Sequence, residues 1–344
     1  MTSGSSNISL AEFGQTLVFA LAVPVLAQGY LDLVKKLRNN PELAKLATEK
    51  GVDAILSGDS AEIAGLRKHN KELVTIAEKE AEKTMTDAVK AHFPEHAIIG
   101  EELGFQPGNQ IRWVFDPVDG TSAMIRTALM EAFGLPISEP VPAFGITVAM
   151  VDGDEAVLGI VTQLQPQHNT LFASNAWVGE KGKLTLHNGS AVKLSPLPAT
   201  LAECGLASTV PQVMFNTPEK WSGYQALMEA TGSTIPDQNC IGFMQLLGKS
   251  NTHIVYEADL AYHDAAALVP ILKGAGITVS DSTGQDLRFP ESAIKKEFSV
   301  LAAQPALHTQ ALDCIRKGVP PERNTYINRN KADRGYANKF PVNG

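Results

Sequence analysis

The chain has 344 residues, 44% hydrophobic and 19% charged, with a formal net charge of −8. That length exceeds what one hydrophobic core usually supports, so two closely packed domains are expected. The acidic balance, without a basic stripe interleaved with aromatics, argues against a nucleic-acid partner. The three cysteines, Cys204, Cys240 and Cys314, have no metal or redox spacing and fit a reduced, cytoplasmic setting.

From the N-terminus, the apolar run Leu17 to Leu26 reads as a buried first helix continuing toward Val34. No basic residue precedes it, Pro24, Gln28 and Asp32 interrupt it, and it falls short of the ~20 residues that span a bilayer, so no membrane partner is expected. Between Asn39 and Asn70, Gly51, Gly58 and Gly65 punctuate short helical pieces. Helical spacing of Ala77, Ala81, Met85, Ala88 and Val89 predicts a helix over Val74 to Phe93, ended by Pro94. Two strands follow, Ile98-Ile99 leading to Glu101-Glu102, and Trp113 to Phe115 leading to Asp116. Residues 123–142 carry Met124, Ile125, Leu129, Met130, Phe133 and Leu135, and read either as a lid or dimer contact or as a surface helix with one buried face. Pro142 to Val151, Glu155 to Leu164, Asn169 to Ser174 and Lys183 to Leu186 then form an antiparallel meander.

Beyond residue 200 strands and helices alternate: Cys204 to Ser208, Glu219 to Ala230, Phe243 to Lys249, Thr252 to Glu257, Asp264 to Gly274 and Ile277 to Ser280. We therefore expect an α+β domain over residues 1–200 with most of the metal ligands, an α/β domain over 201–317, and a polar tail over 318–344.

Chemistry concentrates in Asp116-Pro117-Val118-Asp119-Gly120-Thr121-Ser122. Pro117 cannot continue a strand ladder, so Asp116 sits at a strand end. Gly120 lets the backbone approach a ligand, and Thr121-Ser122 begin a helix whose unpaired N–H groups would face an anion. Asp-Pro and Asp-Gly are also ordinary turn compositions. Two more clusters change that balance: Gly100-Glu101-Glu102 at a strand end, and Asp264 at a helix start, where capping and metal ligation are compatible. Hard oxygen donors beside such a backbone suit Mg²⁺ and phosphate. His263 reads as a packed residue beside these acids rather than as an acid or base.

In this order the clusters resemble the inositol monophosphatase-like superfamily of Mg²⁺-dependent phosphatases, across residues 70–290. The resemblance implies an αβαβα layered sandwich. It also implies two or three Mg²⁺ ions held by Glu101, Asp116, Asp119, Asp264 and the Val118 carbonyl. Glu101, Thr121 and Glu78 become the catalytic candidates. In the family the hydroxyl matching Thr121 works with an Asp in a V-T-x-x-D motif, here Val74-Thr75-Ile76-Ala77-Glu78, so Glu replaces Asp. Substrate contacts fall to Gly120, Thr121, Ser122 and Glu257.

Within the superfamily, Asp237 to Phe243, Val255 to Ala258, Ala266 to Pro270 and Leu206 to Pro211 look most like histidinol-phosphate phosphatases. Glu257, with Asp259, would complement a cationic substrate. Asp259 itself and the Ala261-Tyr262-His263 approach to Asp264 depart from the family pattern. Inositol and sugar phosphates are alternative substrates, and a catalytically lapsed binding protein is the alternative of another class. The resemblance further implies a homodimer acting on a small phosphorylated metabolite.

Overall fold

The computed structural model describes residues 8–52, 61–135, 143–167, 170–236 and 238–318. The tail after residue 318, residues 136–142 of the insertion and Gly58 lie outside them.

The N-terminal run forms a single helix, α1, Leu10–Arg38, where the sequence pointed to a shorter one. Ser9 caps it: its hydroxyl accepts from the Glu12 N–H at 3.2 Å, and Glu12 Oε2 accepts from the Ser9 N–H at 2.9 Å. Pro24 has no N–H to continue the usual ladder. The chain passes it through a π-helical stretch, Leu17–Ala22, after which the Val23 N–H donates five residues back to Val18 O. Helix α1 is long and apolar enough to cross a membrane by length and composition. In the fold, Leu17, Val18, Leu26, Tyr30 and Val34 are buried in a core shared with the following helices and the first sheet. After α2, Pro41–Lys50, helix α3 runs unbroken over Ala61–His92, through Gly65. The expected break at that glycine is absent because one glycine costs a helix only about 1 kcal/mol, which the packing of a long helix readily offsets.

The first sheet contains β1 (Ala97–Gly100), β2 (Gly104–Gln106), β3 (Ile111–Asp119), β4 (Gly145–Asp152), β5 (Glu155–Gln167), β6 (Thr170–Glu180), β7 (Leu186–His187) and β8 (Ser190–Ala191). Its order is β2-β1-β3-β4-β5-β6-β7-β8. Strands β1 and β3 run parallel, and every later neighbour is antiparallel, as the meander reading expects. Alternation along β3 sorts its side chains: Trp113 and Phe115 join the core under the N-terminal helices, whereas Val114 joins the core on the opposite face. Asp116 shares the parity of Val114 and so points toward the middle of the molecule.

The second sheet contains β9 (Gly205–Ala207), β10 (Ser233–Ile235), β11 (Thr252–Leu260), β12 (Thr278–Ser280) and β13 (Phe298–Ala303), in the order β10-β9-β11-β13-β12. The sequence reading did not identify β13, which lies between β11 and β12 and pairs antiparallel with both. Helices α5 (Pro218–Ala230), α6 (Asn239–Gln245), α7 (Tyr262–Ala266), α8 (Leu268–Gly274) and α9 (Pro305–Gly318) complete the C-terminal half. Val255, Val300 and Ala302 share a core with α7, α8 and the first sheet, while Ile254, Tyr256 and Leu301 face α5 and α9. The layers are therefore helix, sheet, helix, sheet, helix, an αβαβα sandwich.

Helix α4, Thr121–Ala132, follows β3. Ala123, Met124, Ile125, Ala128, Leu129 and Met130 are all buried, Tyr30 Oη donates to Glu131 Oε2 at 2.9 Å, and Arg38 Nε donates to Ala132 O at 3.3 Å. This part of the insertion is neither a lid nor a one-faced surface helix. It is a core element clamped by α1.

Candidate active site

The ends of β1 and β3, the start of α4 and the start of α7 meet at one place. The β3–β4 register shifts between Asp116 and Asp119, where Pro117 interrupts the ladder. Asp116 is buried, and its Oδ1 accepts the Val118 N–H at 2.9 Å. Asp119 accepts the Cys240 N–H from the start of α6. The helix expected to start at Asp264 starts earlier: Ala261 is the N-cap of α7, and Asp264, at the third position, accepts the Ala261 N–H through Oδ2 at 2.6 Å while its Oδ1 lies 3.2 Å from His263 Nε2. Ligand-capable oxygens of Asp116, Asp119 and Asp264 lie within 4.8 Å of one another. A second group, Glu101, Asp116 and His263, meets the same limit.

Electrostatics mark the place as one that needs a cation. Burial, then the neighbouring charges of Glu101, Asp119 and Asp264, push the Asp116 carboxyl well above the usual range. Burial and the Asp264 charge push Asp119 up to about 7. These acids accept from main-chain N–H groups, which leaves their mutual repulsion uncancelled. A divalent ion with oxygen ligands answers that chemistry, so the residues present fit the metal that the family pattern implies.

Gly120 sits at φ 99°, and a Cβ there would lie 2.7 Å from Asn239 Nδ2 and 2.9 Å from Phe144 Cβ. Glycine thus permits both the left-handed turn and the close packing that starts α4 beside the acids. Thr121 Oγ1 donates to Glu78 Oε1 at 2.7 Å. The longer Glu in place of the family's Asp therefore reaches its expected partner from α3. Glu78 is buried, and burial drives its pKa up to about 8 despite the Thr121 hydrogen bond. Ser122 is exposed in the first turn of α4. The Val118 carbonyl lies 3.2 Å from Thr121 Oγ1.

Glu257 is buried in β11 and accepts from Ser208 Oγ at 3.2 Å and from the Thr209 N–H and Oγ1, each at 2.7 Å. Burial raises it to about 8. Thr209 Oγ1 in turn accepts the Asn239 N–H at 3.1 Å, which links Glu257 to the residue against Gly120. Asp259, expected to help Glu257 attract a cationic substrate, instead accepts from Lys220 Nζ and from Asn216 Nδ2. It sits at φ 58° inside a bulge of β11, and its charge is already engaged.

Sequence reasoning missed Glu82. It is fully buried on α3, and its Oε2 and Oε1 accept the Glu102 and Leu103 N–H groups, each at 2.8 Å. Glu82 thereby fixes the turn that carries Glu101. Gly100 makes room for it, since a Cβ there would lie 1.7 Å from Glu82 Oε1. The available signal was spacing: Glu78, Glu82, Met85 and Val89 recur on one helical face.

A family model described as the inositol monophosphatase family matches residues 36–318. Over 248 residues the chain is 29% identical to the chloroplastic bifunctional phosphatase IMPL2 of Arabidopsis thaliana, covering 70% of this chain and 65% of that protein, just under two thirds of its length. It is 26% identical over 213 residues to a histidinol-phosphatase of Chlorobaculum parvum, covering 62% of this chain and 73% of that one. Among solved structures, an inositol monophosphatase from Zymomonas mobilis matches with a TM-score of 0.60 at 27% identity, covering 90% of this chain and 100% of the other.

Proposed function

The chain belongs to the inositol monophosphatase family, whose members hydrolyse phosphate monoesters, and from that premise we propose a Mg²⁺-dependent phosphatase of small metabolites with histidinol phosphate as its substrate. The observation that carries the reading is the convergence of Glu101, Asp116, Asp119 and Asp264 on the N-terminus of α4. Two or three bound Mg²⁺ ions would lower the pKa of an attacking water, neutralise the leaving oxygen and clamp the phosphoryl group.

The protein's own groups prepare that attack. Thr121 donates its hydroxyl proton to a hydrogen bond with Glu78, so its oxygen lone pairs are free to accept a hydrogen bond from, and so orient, a water placed among the acids. The N–H groups at the start of α4, near Gly120, Thr121 and Ser122, offer donors to the equatorial phosphoryl oxygens. Glu257 stands across from them as the acid for a substrate amine or hydroxyl, its carboxylate oriented by Ser208 and Thr209. The histidinol-phosphatase relative supports the cationic substrate. A homodimer in a reduced cytoplasm belongs to the same proposal, and the free Cys204, Cys240 and Cys314 are compatible with it.

The test is phosphate release from histidinol phosphate, inositol 1-phosphate, fructose 1,6-bisphosphate and adenosine 3′,5′-bisphosphate, with Mg²⁺ and with EDTA. The proposal expects metal-dependent turnover with kcat/KM highest for histidinol phosphate. Preference for another ester would keep the chemistry and replace the substrate. No turnover of any ester by folded, metal-loaded protein would favour the lapsed binding protein.

A further inference from the structure

Two metal-capable groups share Asp116, and they differ in chemistry. Asp116, Asp119 and Asp264 offer oxygen alone, whereas Glu101, Asp116 and His263 add a nitrogen. His263 Nε2 lies 3.2 Å from Asp264 Oδ1 and 3.8 Å from Glu101 Oε1. In an octahedral shell of radius about 2.1 Å, neighbouring ligands stand about 3 Å apart and opposite ones about 4.2 Å apart. The 3.8 Å between His263 Nε2 and Glu101 Oε1, the pair that shares a group, falls within that span, and Asp264 Oδ1 of the neighbouring group lies beside the ring.

The imidazole is also held in place. His263 is buried. Its carbonyl accepts from Thr147 Oγ1 on β4 at 3.0 Å, and on either side of it Tyr262 Oη donates to Phe289 O at 2.5 Å while Asp264 accepts the Ala261 N–H. The backbone carrying the ring is thus tied to the first sheet and to the segment before β13. A side chain so anchored, with Nε2 turned toward carboxylates, is arranged as a ligand is arranged.

We propose that His263 is a metal ligand, and that Glu101, Asp116 and His263 form a mixed nitrogen and oxygen subsite taking a divalent transition ion of the Co²⁺ or Zn²⁺ class in preference to Mg²⁺. The neighbouring all-oxygen group of Asp116, Asp119 and Asp264 keeps the Mg²⁺ preference. Imidazole favours ions later in the Irving–Williams order, while Mg²⁺ gains little from nitrogen and retains its waters. The inference rests on the metal centre of the proposed function, but not on its substrate.

The test uses the full chain stripped of metal. Pulsed EPR of the protein loaded with one Co²⁺ per chain should show nitrogen hyperfine coupling from one imidazole, and His263→Gln should abolish it. Calorimetric titrations with Co²⁺ and with Mg²⁺ form the second arm. His263→Gln should weaken Co²⁺ binding by at least about tenfold while changing Mg²⁺ binding by less than about threefold. Absence of nitrogen coupling in the wild type overturns the assignment without requiring any variant to fold. A parallel loss of both cations in a folded variant also overturns it, because His263 would then only orient Asp264. Failure of the wild type to bind either cation would instead remove the metal centre itself.

Discussion

Glu82→Gln isolates a residue that touches neither substrate nor metal ligand side chain yet fixes the position of Glu101. Each Glu82 oxygen accepts one main-chain N–H, from Glu102 and Leu103, at 2.8 Å, in a fully buried setting. Glutamine keeps the shape and one acceptor but turns an NH₂ group toward the other N–H. One charge-assisted hydrogen bond, about 1.5–3 kcal/mol, is lost, and a buried donor is left unmatched at about 1–3 kcal/mol. Burial offsets part of this, because it raises the Glu82 pKa to about 7, so the charge being removed is already costly at neutral pH. The net expectation is about 1–3 kcal/mol of destabilisation, from terms that partly cancel. The more specific effect is on the metal held by Glu101: a displaced Glu101 should weaken Co²⁺ binding at the Glu101, Asp116 and His263 group by about ten- to a hundredfold, the usual range for groups that support a ligand. Urea denaturation without metal and calorimetric Co²⁺ titration measure the two effects separately. Wild-type Co²⁺ affinity in the Gln variant would refute the positioning argument, whatever happens to stability.

Three further outcomes follow from the same geometry. Asp119→Asn should remove nearly all turnover, measured as phosphate release, while preserving the fold by circular dichroism. It should also raise the Tm of metal-free protein, since Asp119 repels Asp264. Glu78→Asp should lower kcat by roughly tenfold or more with little change in KM, because one methylene less withdraws the carboxylate from Thr121 Oγ1; unchanged kcat would remove the Glu78–Thr121 pair from the reaction. The pH dependence has a definite sign. Asp119 and Glu82 rise to about 7, and Glu78 and Glu257 to about 8, so between the ordinary carboxyl range near 4 and pH 8 the folded chain holds more protons than the unfolded one. Stability of the metal-free protein should therefore fall as pH rises across that window, by on the order of a few kcal/mol. Added divalent cation should raise Tm most at the alkaline end, and a Tm of metal-free protein that climbs from pH 5 to 8 would contradict the assignment.

The legible parts of the sequence were those where local rules and tertiary demands coincide. Asp116-Pro117 marks a strand end because proline lacks a donor, and the β3–β4 register does shift there. Strands β4 and β5 were readable as part of a meander because two long apolar runs are separated by the turn residues Asp152-Gly153-Asp154. Strand β13 escaped because Phe298 to Ala303 is a short apolar run without a Gly or Asp turn directly before it, following a stretch with little regular structure. The π-helical passage around Pro24 escaped for another reason: a proline normally predicts an end, and only the packing of α1 against the core makes five-residue hydrogen bonding the better solution.

At the site the same division has a chemical meaning. The four acids were readable because they stand at strand ends and a helix start, where local turn chemistry writes a signature. Glu82 and His263 were not, since the work of each depends on what the fold brings opposite it: two N–H groups of the β1–β2 turn in one case, two carboxylates in the other. A glutamate on a Lys/Glu-rich helix and a histidine beside an aspartate are each unremarkable in one dimension. Their significance comes from burial, because a buried carboxylate or imidazole persists only where a partner compensates its desolvation. Asp259 shows the converse, since its acidity suggested a substrate contact until Lys220 proved to be its partner.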